Sequence, residues 1–108
     1  MLEKTIQAQV CAYAKRCGVL PRKLDFGQGW PDVMFLYQGR VMFIEFKQPG
    51  KWPTPLQGHI HKRLRDQGFT VLTCTAVDMG KSIINWFTLP KWAPLVVHSL
   101  DNTTKETQ

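Results

Sequence analysis

The chain predicts an α/β sandwich, a mixed central sheet flanked by helices in the order α-β-β-β-α-β-α. Three observations lead there. Two apolar runs, VMFLY and VMFI, flank Gln38-Gly39; helical spacing recurs at the start, the middle and near the end; and a strand-like run, TVLTCTA, follows the middle helix. Helices covering both faces of a sheet bury the apolar surface that neither element can bury alone. The 108 residues suit one small domain, expected over residues 1–100, with a polar, frayed tail at 101–108.

Each element has a local reason. Leu2, Ile6, Val10, Tyr13, Ala14 and Cys17 recur at helical spacing and Gly18 follows as a stop, so the first helix is expected at 2–17. Residues 20–26 supply a short edge strand. Gln38-Gly39 suits a tight hairpin turn, and the runs beside it are apolar on both faces, which puts the hairpin at the covered centre of the sheet. QPGKWPTP is a loop. Thr54-Pro55 opens the next helix as N-cap and first helical residue; Leu56, Ile60 and Leu64 form its apolar stripe and Gly68 ends it. A strand follows at 70–76 and a third helix at 78–87. Pro90 and Pro94 break the tail, where APLVVHS offers an edge strand or a partner contact.

Composition narrows the function. A net charge of +6 makes a polyanion the natural partner, nucleic acid first. No apolar run approaches the roughly 20 residues a membrane span needs, and the N-terminus has no secretory pattern. Three cysteines fit a reducing compartment better than a disulfide framework, and Cys11, Cys17 and Cys74 read as small core fillers.

The residues that carry chemistry gather on the hairpin. With a two-residue turn, Tyr37 faces Arg40, Val33 faces Ile44 and Asp32 faces Glu45. Opposed residues share a sheet face, with Cβ atoms about 4.5–5.5 Å apart. Lys47 lies two residues beyond Glu45 and projects from the same side. Two carboxylates that close repel each other, and a divalent cation is the simplest remedy. Glu45 is therefore expected to face Asp32 across a metal. Glu3 falls about 100° from Leu2, inside the apolar stripe of the first helix; it serves the helix dipole or meets a partner at the site. Gln57 matches a capping box with Thr54. A side chain bonding backward reaches the site poorly, so its two roles are expected to coexist only in part.

Asp32 followed by Glu45-Phe46-Lys47 resembles the PD-(D/E)xK nuclease signature, and Pro31-Asp32 supplies the literal PD. With Glu3, Gly29-x-Pro31-Asp32, Ile44-Glu45-x-Lys47 and Gln57, the chain resembles the VRR-NUC family, the virus-type replication-repair nucleases, in the compact stand-alone form found in phages and bacteria. The resemblance covers roughly residues 2–75. It implies a restriction-endonuclease-like sandwich and a DNA phosphodiesterase of a bacterial or phage-infected cytoplasm, dependent on Mg²⁺ or Mn²⁺. It further implies that Asp32, Glu45 and the Phe46 carbonyl bind the metal, that Glu3 holds a water on it or a second ion, that Lys47 positions the attacking water, and that Gln57 orients the site. Stand-alone relatives are associated with branched DNA, such as four-way junctions, and with homodimers.

Lys23, Lys51, Lys62 and Arg63, together with Arg22 and Arg65, are candidate phosphate contacts. Trp52 and Trp92 could stack on bases, and Trp30 packs near the site. His59 and His61, two residues apart on a helix, diverge and do not suggest zinc. A non-catalytic DNA-binding module on the same fold and a restriction-like nuclease on duplex DNA remain the competing readings; the paired acids argue against the first.

Overall fold

The computed structural model describes residues 1–90. The segment APLVVHS, Trp92 and the expected tail at 101–108 lie outside them. The order of elements is α1 (Glu3–Arg16), β1 (Leu20–Lys23), β2 (Val33–Tyr37), β3 (Arg40–Phe46), α2 (Pro55–Asp66), β4 (Thr70–Cys74) and α3 (Val77–Phe87). This is the predicted order. The strand expected at 20–26 stops at Lys23, the one expected at 70–76 stops at Cys74, and the third helix begins one residue early, at Val77.

The four strands lie in the order β1-β2-β3-β4. The first three pair antiparallel and β4 joins β3 in parallel, with α2 as the crossover. The hairpin turn has the two residues expected. Gln38 and Gly39 take φ values of 47° and 80°, the left-handed pair of a type I′ turn, whose twist matches that of the strands it joins. Tyr37 pairs with Arg40 and Val33 with Ile44, which fixes the register through the hairpin.

Alternation then sorts the hairpin's side chains between two layers. Val33 and Phe35 of β2, Met42, Ile44 and Phe46 of β3, and Cys74 of β4 form one buried core with Ile6, Val10 and Ala14 of α1 and Ile84 and Phe87 of α3. Each buried Val, Ile, Met or Phe side chain among them contributes roughly 1.5–3 kcal/mol by leaving water. The alternate positions of β3, Phe43 and Glu45, face the other side, where α2 lies. There Phe69, just after α2, packs edge-on against Phe43 at 5.7 Å, and Arg65 donates to the Val71 carbonyl at 2.7 Å. Arg40 ties the hairpin to the end of α3 by donating to the carbonyls of Phe87 and Leu89.

Helix α2 departs from expectation. Leu56 is 45% exposed, while the one fully buried residue of the helix is His61. Leu56 and Ile60 of the expected stripe stand against the loop before β2. A methyl group added at Gly29 would stand 2.9 Å from both Leu56 and Ile60 side-chain carbons. That close approach, with φ of +88°, demands glycine at 29 and sets the path of Trp30-Pro31-Asp32. Trp30 packs edge-on against Phe26 at 5.2 Å. Of the cysteines, Cys74 is buried, whereas Cys11 and Cys17 are half-buried and all three are free.

Candidate functional site

Asp32 sits one residue before β2 and the continuing register sets it opposite Glu45 at the end of the hairpin. Its Oδ2 accepts the Phe46 main-chain N–H at 2.8 Å. The main chain of Asp32 is held too, because its carbonyl accepts from Leu24 N–H at 2.9 Å. One carboxylate oxygen is thus spent on bracing β3 and the other is left for the site.

Glu45 is 2% exposed, on a strand that is otherwise apolar after Arg40. Its partners answer why a carboxylate is tolerated there. Gln57 Nε2 donates to Glu45 Oε2 at 2.9 Å, and the Lys47 ammonium lies 3.5 Å from the same oxygen. The other oxygen, Oε1, is buried without a hydrogen-bond partner among the described residues, as is His61 Nε2, 4.0 Å away. The direct neighbours of Glu45 are thus an amide, an ammonium and an imidazole, with the Asp32 charge acting on it from across the hairpin.

Gln57 makes the capping bonds and reaches Glu45 at once. Its Oε1 accepts from Thr54 N–H at 2.8 Å and its N–H donates to Thr54 Oγ1 at 3.2 Å, the reciprocal capping box. Its Nε2 still reaches Glu45. The expectation that capping would compromise reach is corrected: the cap uses the amide oxygen and the site uses the amide nitrogen.

The charges perturb one another. Burial first and the Asp32 charge second push the Glu45 carboxyl up to about 7, Glu3 adds to this, and Lys47 opposes it. Burial raises Asp32 as well; the Phe46 N–H opposes the rise, the Glu3 charge reinforces it, and Lys47 and Lys23 pull it down. Glu3, in the first turn of α1, therefore stands close enough to both acids to be felt, and it lines a cleft with Asp32. His61 is pushed down, by burial foremost and then by Arg65 and Lys47, which keeps the imidazole neutral.

The donor set suits a hard divalent cation. Both carboxyls are raised by burial, Glu45 further by the Asp32 charge and Asp32 further by the Glu3 charge, and Glu45 bears a buried oxygen without a partner among the described residues; a positive ion would relieve them. Among the described residues no three His, Cys, Asp or Glu side chains form a metal-holding group, so Asp32 and Glu45 would share an ion with main-chain oxygen and water, as Mg²⁺ commonly requires.

Beside the acids, α1 and β1 enclose a cleft of about 790 Å³ lined by Glu3, Lys4, Lys15, Arg22, Lys23 and Asp32. Its cations come from α1 and β1, and its acids from the first turn of α1 and the approach to β2. Lys62 and Arg65, by contrast, are engaged: Lys62 pairs with Asp66 at 2.9 Å and Arg65 holds the Val71 carbonyl. Arg63 and Lys51 are exposed, and Trp52, beside Lys51, is 82% exposed.

This geometry meets a nuclease family in the comparisons. No family model matches the chain. A protein named "Putative nuclease p44", from Acyrthosiphon pisum secondary endosymbiont phage 1, is 30% identical over 81 residues, which span 72% of this chain and 87% of its own. A solved VRR_NUC domain matches with a TM-score of 0.71 and 28% identity over 77% of this chain and 94% of that one. The chain belongs to the VRR-NUC nuclease family. A second solved structure, a VRR_NUC domain protein, shares the fold at a TM-score of 0.70 and 18% identity, covering 82% of this chain and 88% of that one.

Within this VRR-NUC domain, the side chain that sequence reasoning passed over is His61. Its position was readable, since it lies four residues after Gln57 and so on the same face of α2. The pair His59 and His61 drew attention to a zinc motif and away from the Gln57–His61 spacing.

Proposed function

We propose that the chain is a divalent-metal-dependent endonuclease that hydrolyses DNA phosphodiester bonds, with Asp32, Glu45 and Lys47 as its catalytic core. The observation that carries this is the setting of Glu45: a carboxyl 2% exposed, raised to about 7, opposite a second raised acid and within 3.5 Å of a lysine. Such a cluster costs stability and is kept where charge must be managed. Membership of a nuclease family supports the same reading.

When bound, a divalent cation activates water and neutralises phosphoryl charge. Asp32 and Glu45, with the Phe46 carbonyl, would hold it, and Glu3 would anchor a water or a second ion. Lys47 offers its ammonium to a phosphoryl oxygen as a charge-assisted hydrogen bond. Gln57 orients Glu45, and the bond from Phe46 N–H orients Asp32. Lys4, Lys15, Arg22 and Lys23, which line the cleft with Glu3 and Asp32, offer the phosphate backbone its path to the acids, and exposed Lys51 and Trp52 offer an ammonium and a stacking surface.

Branched or structured DNA, such as a four-way junction, is the proposed substrate, and a homodimer the proposed acting form, because paired sites suit a two-fold-symmetric substrate. The test is a cleavage panel of duplex, flap, splayed and four-way DNA with Mg²⁺ and Mn²⁺, run on the wild type and on Asp32→Ala, Glu45→Ala and Lys47→Ala. Folded variants without activity beside an active wild type support the catalytic core. A wild type inert on every substrate with both metals sinks it, and preference for linear duplex sinks the branched substrate alone.

A further inference from the structure

Glu45 Oε1 and His61 Nε2 are two buried polar atoms, 4.0 Å apart, and among the described residues neither has a hydrogen-bond partner. Both residues are 2% exposed. An unmet buried polar group costs about 1–3 kcal/mol, and here two face each other across a gap about 1 Å too long for the bond that would satisfy both. An apolar side chain at 61 would fill the same space on α2 without that cost. An imidazole there is understandable if its N–H serves the carboxylate.

The other oxygen of Glu45 is already managed. Oε2 accepts from Gln57 and faces Lys47. Gln57 and His61 are four residues apart on one face of α2, so the helix presents an amide to one oxygen and an imidazole to the other. A carboxylate with only one oxygen held can swing about its last torsion. With both held, its plane is fixed.

We infer that His61 is a positioning residue for Glu45, donating Nε2–H to Oε1 and, with Gln57, clamping the carboxylate in one orientation for the cation. The inference rests on the metal-dependent reading above. Closing the gap takes a small rotation of the Glu45 side chain toward α2. His61 does not touch the substrate; its effect passes through Glu45.

The test measures metal binding directly. Mn²⁺ titration calorimetry is run on the wild type, His61→Leu, His61→Gln and His61→Ala, with far-ultraviolet circular dichroism to check folding. His61→Leu fills the space without a donor, and His61→Ala removes the donor without adding bulk should leucine not fit. His61→Gln restores an N–H near the position of Nε2. The expected result is a 10- to 100-fold loss of Mn²⁺ affinity in the folded apolar variant, recovery of most of it by His61→Gln, and a fall in kcat with KM for DNA changed less than about twofold. Wild-type Mn²⁺ affinity in a folded His61→Leu or His61→Ala variant overturns the inference, as does a His61→Gln variant no better than the apolar ones. A wild type that binds no Mn²⁺ overturns the metal-dependent reading itself, which is a different result.

Discussion

Gln57 joins the start of helix α2 to the buried carboxylate of Glu45. Its amide oxygen accepts from Thr54 N–H at 2.8 Å while its amide nitrogen donates to Glu45 Oε2 at 2.9 Å. A glutamate at 57 would keep the first bond and lose the second, and would set a third negative charge against Asp32 and Glu45. Gln57→Glu is therefore expected to retain the capped helix, melting within a few degrees of the wild type at low pH, yet to lose nuclease activity by at least tenfold. Thr54→Ala should cost about 1 kcal/mol of stability with a smaller loss of activity, because the Gln57 main-chain N–H loses Oγ1 while both bonds of the Gln57 side chain survive. Denaturant melts and cleavage rates on both variants check this, and equal activity loss in the two would contradict the division of labour.

Gly29 sets the approach of Asp32 to the site. Its φ is +88°, and a methyl group there would press on Leu56 and Ile60 of α2 at 2.9 Å. Gly29→Ala combines backbone strain with overpacking, at a cost of about 1–3 kcal/mol. Its consequence should reach beyond stability, since α2 also carries Gln57 and His61. Thermal melts are expected to show the loss, and activity measured well below the new melting point should fall as well. A variant destabilised by this amount but fully active would mean that the loop tolerates displacement without moving Asp32.

The hairpin was legible because its chemistry is local. Gln38-Gly39 dictates the turn, the turn dictates the register, and the register brings Asp32 to face Glu45. The face taken by α2 was harder to read. Leu56, Ile60 and Leu64 form the better apolar stripe by composition, yet the helix buries His61, because Gly29 lets the loop before β2 come up to Leu56 and Ile60. That contact joins residues distant in sequence, and periodicity within a helix does not contain it. The two-way use of Gln57 was foreseen only in part, for a related reason. A capping box accounts for the amide oxygen, and only the position of β3 shows that the nitrogen has Glu45 within reach. Among the candidate phosphate contacts, Lys62 could not be known to pair with Asp66 in preference to facing DNA, although their spacing on the helix permits it.

The cations of the cleft should differ from those of α2 in what they contribute. Lys4, Lys15, Arg22 and Lys23 line the cleft beside Asp32, whereas Lys62 is paired with Asp66 on an exposed helix face. Replacing one cleft cation with glutamine is expected to weaken DNA binding and to lower the slope of log affinity against log salt by about one. Lys62→Gln should leave that slope nearly unchanged. Fluorescence anisotropy with labelled DNA over a salt series, in an Asp32→Asn background, reads both. A larger slope change from Lys62 than from Lys23 would move the DNA track to α2.

Glu45 should also make stability depend on pH. Its carboxyl ordinarily titrates near 4.5 and burial, aided by the Asp32 charge, pushes it up to about 7 in the fold. Between those values the folded state binds more protons than the unfolded state, so stability falls as pH rises through that window. The shift corresponds to roughly 3 kcal/mol at most, and the raised Asp32 acts in the same direction. His61 acts oppositely: its folded value lies below the ordinary 6.5, so its contribution is lost as pH falls beneath that point. Comparison with Glu45→Gln isolates the carboxylate from these other groups. In chelator, the variant should gain stability over the wild type progressively from pH 4.5 to pH 8, because it has no charge to bury. Mn²⁺ at pH 8 should then stabilise the wild type and do little for the variant, since the cation relieves a repulsion that glutamine does not have. Urea unfolding at several pH values, with and without the ion, measures each term. A stability difference that stays flat with pH would show that Glu45 ionises in the fold as it does in water.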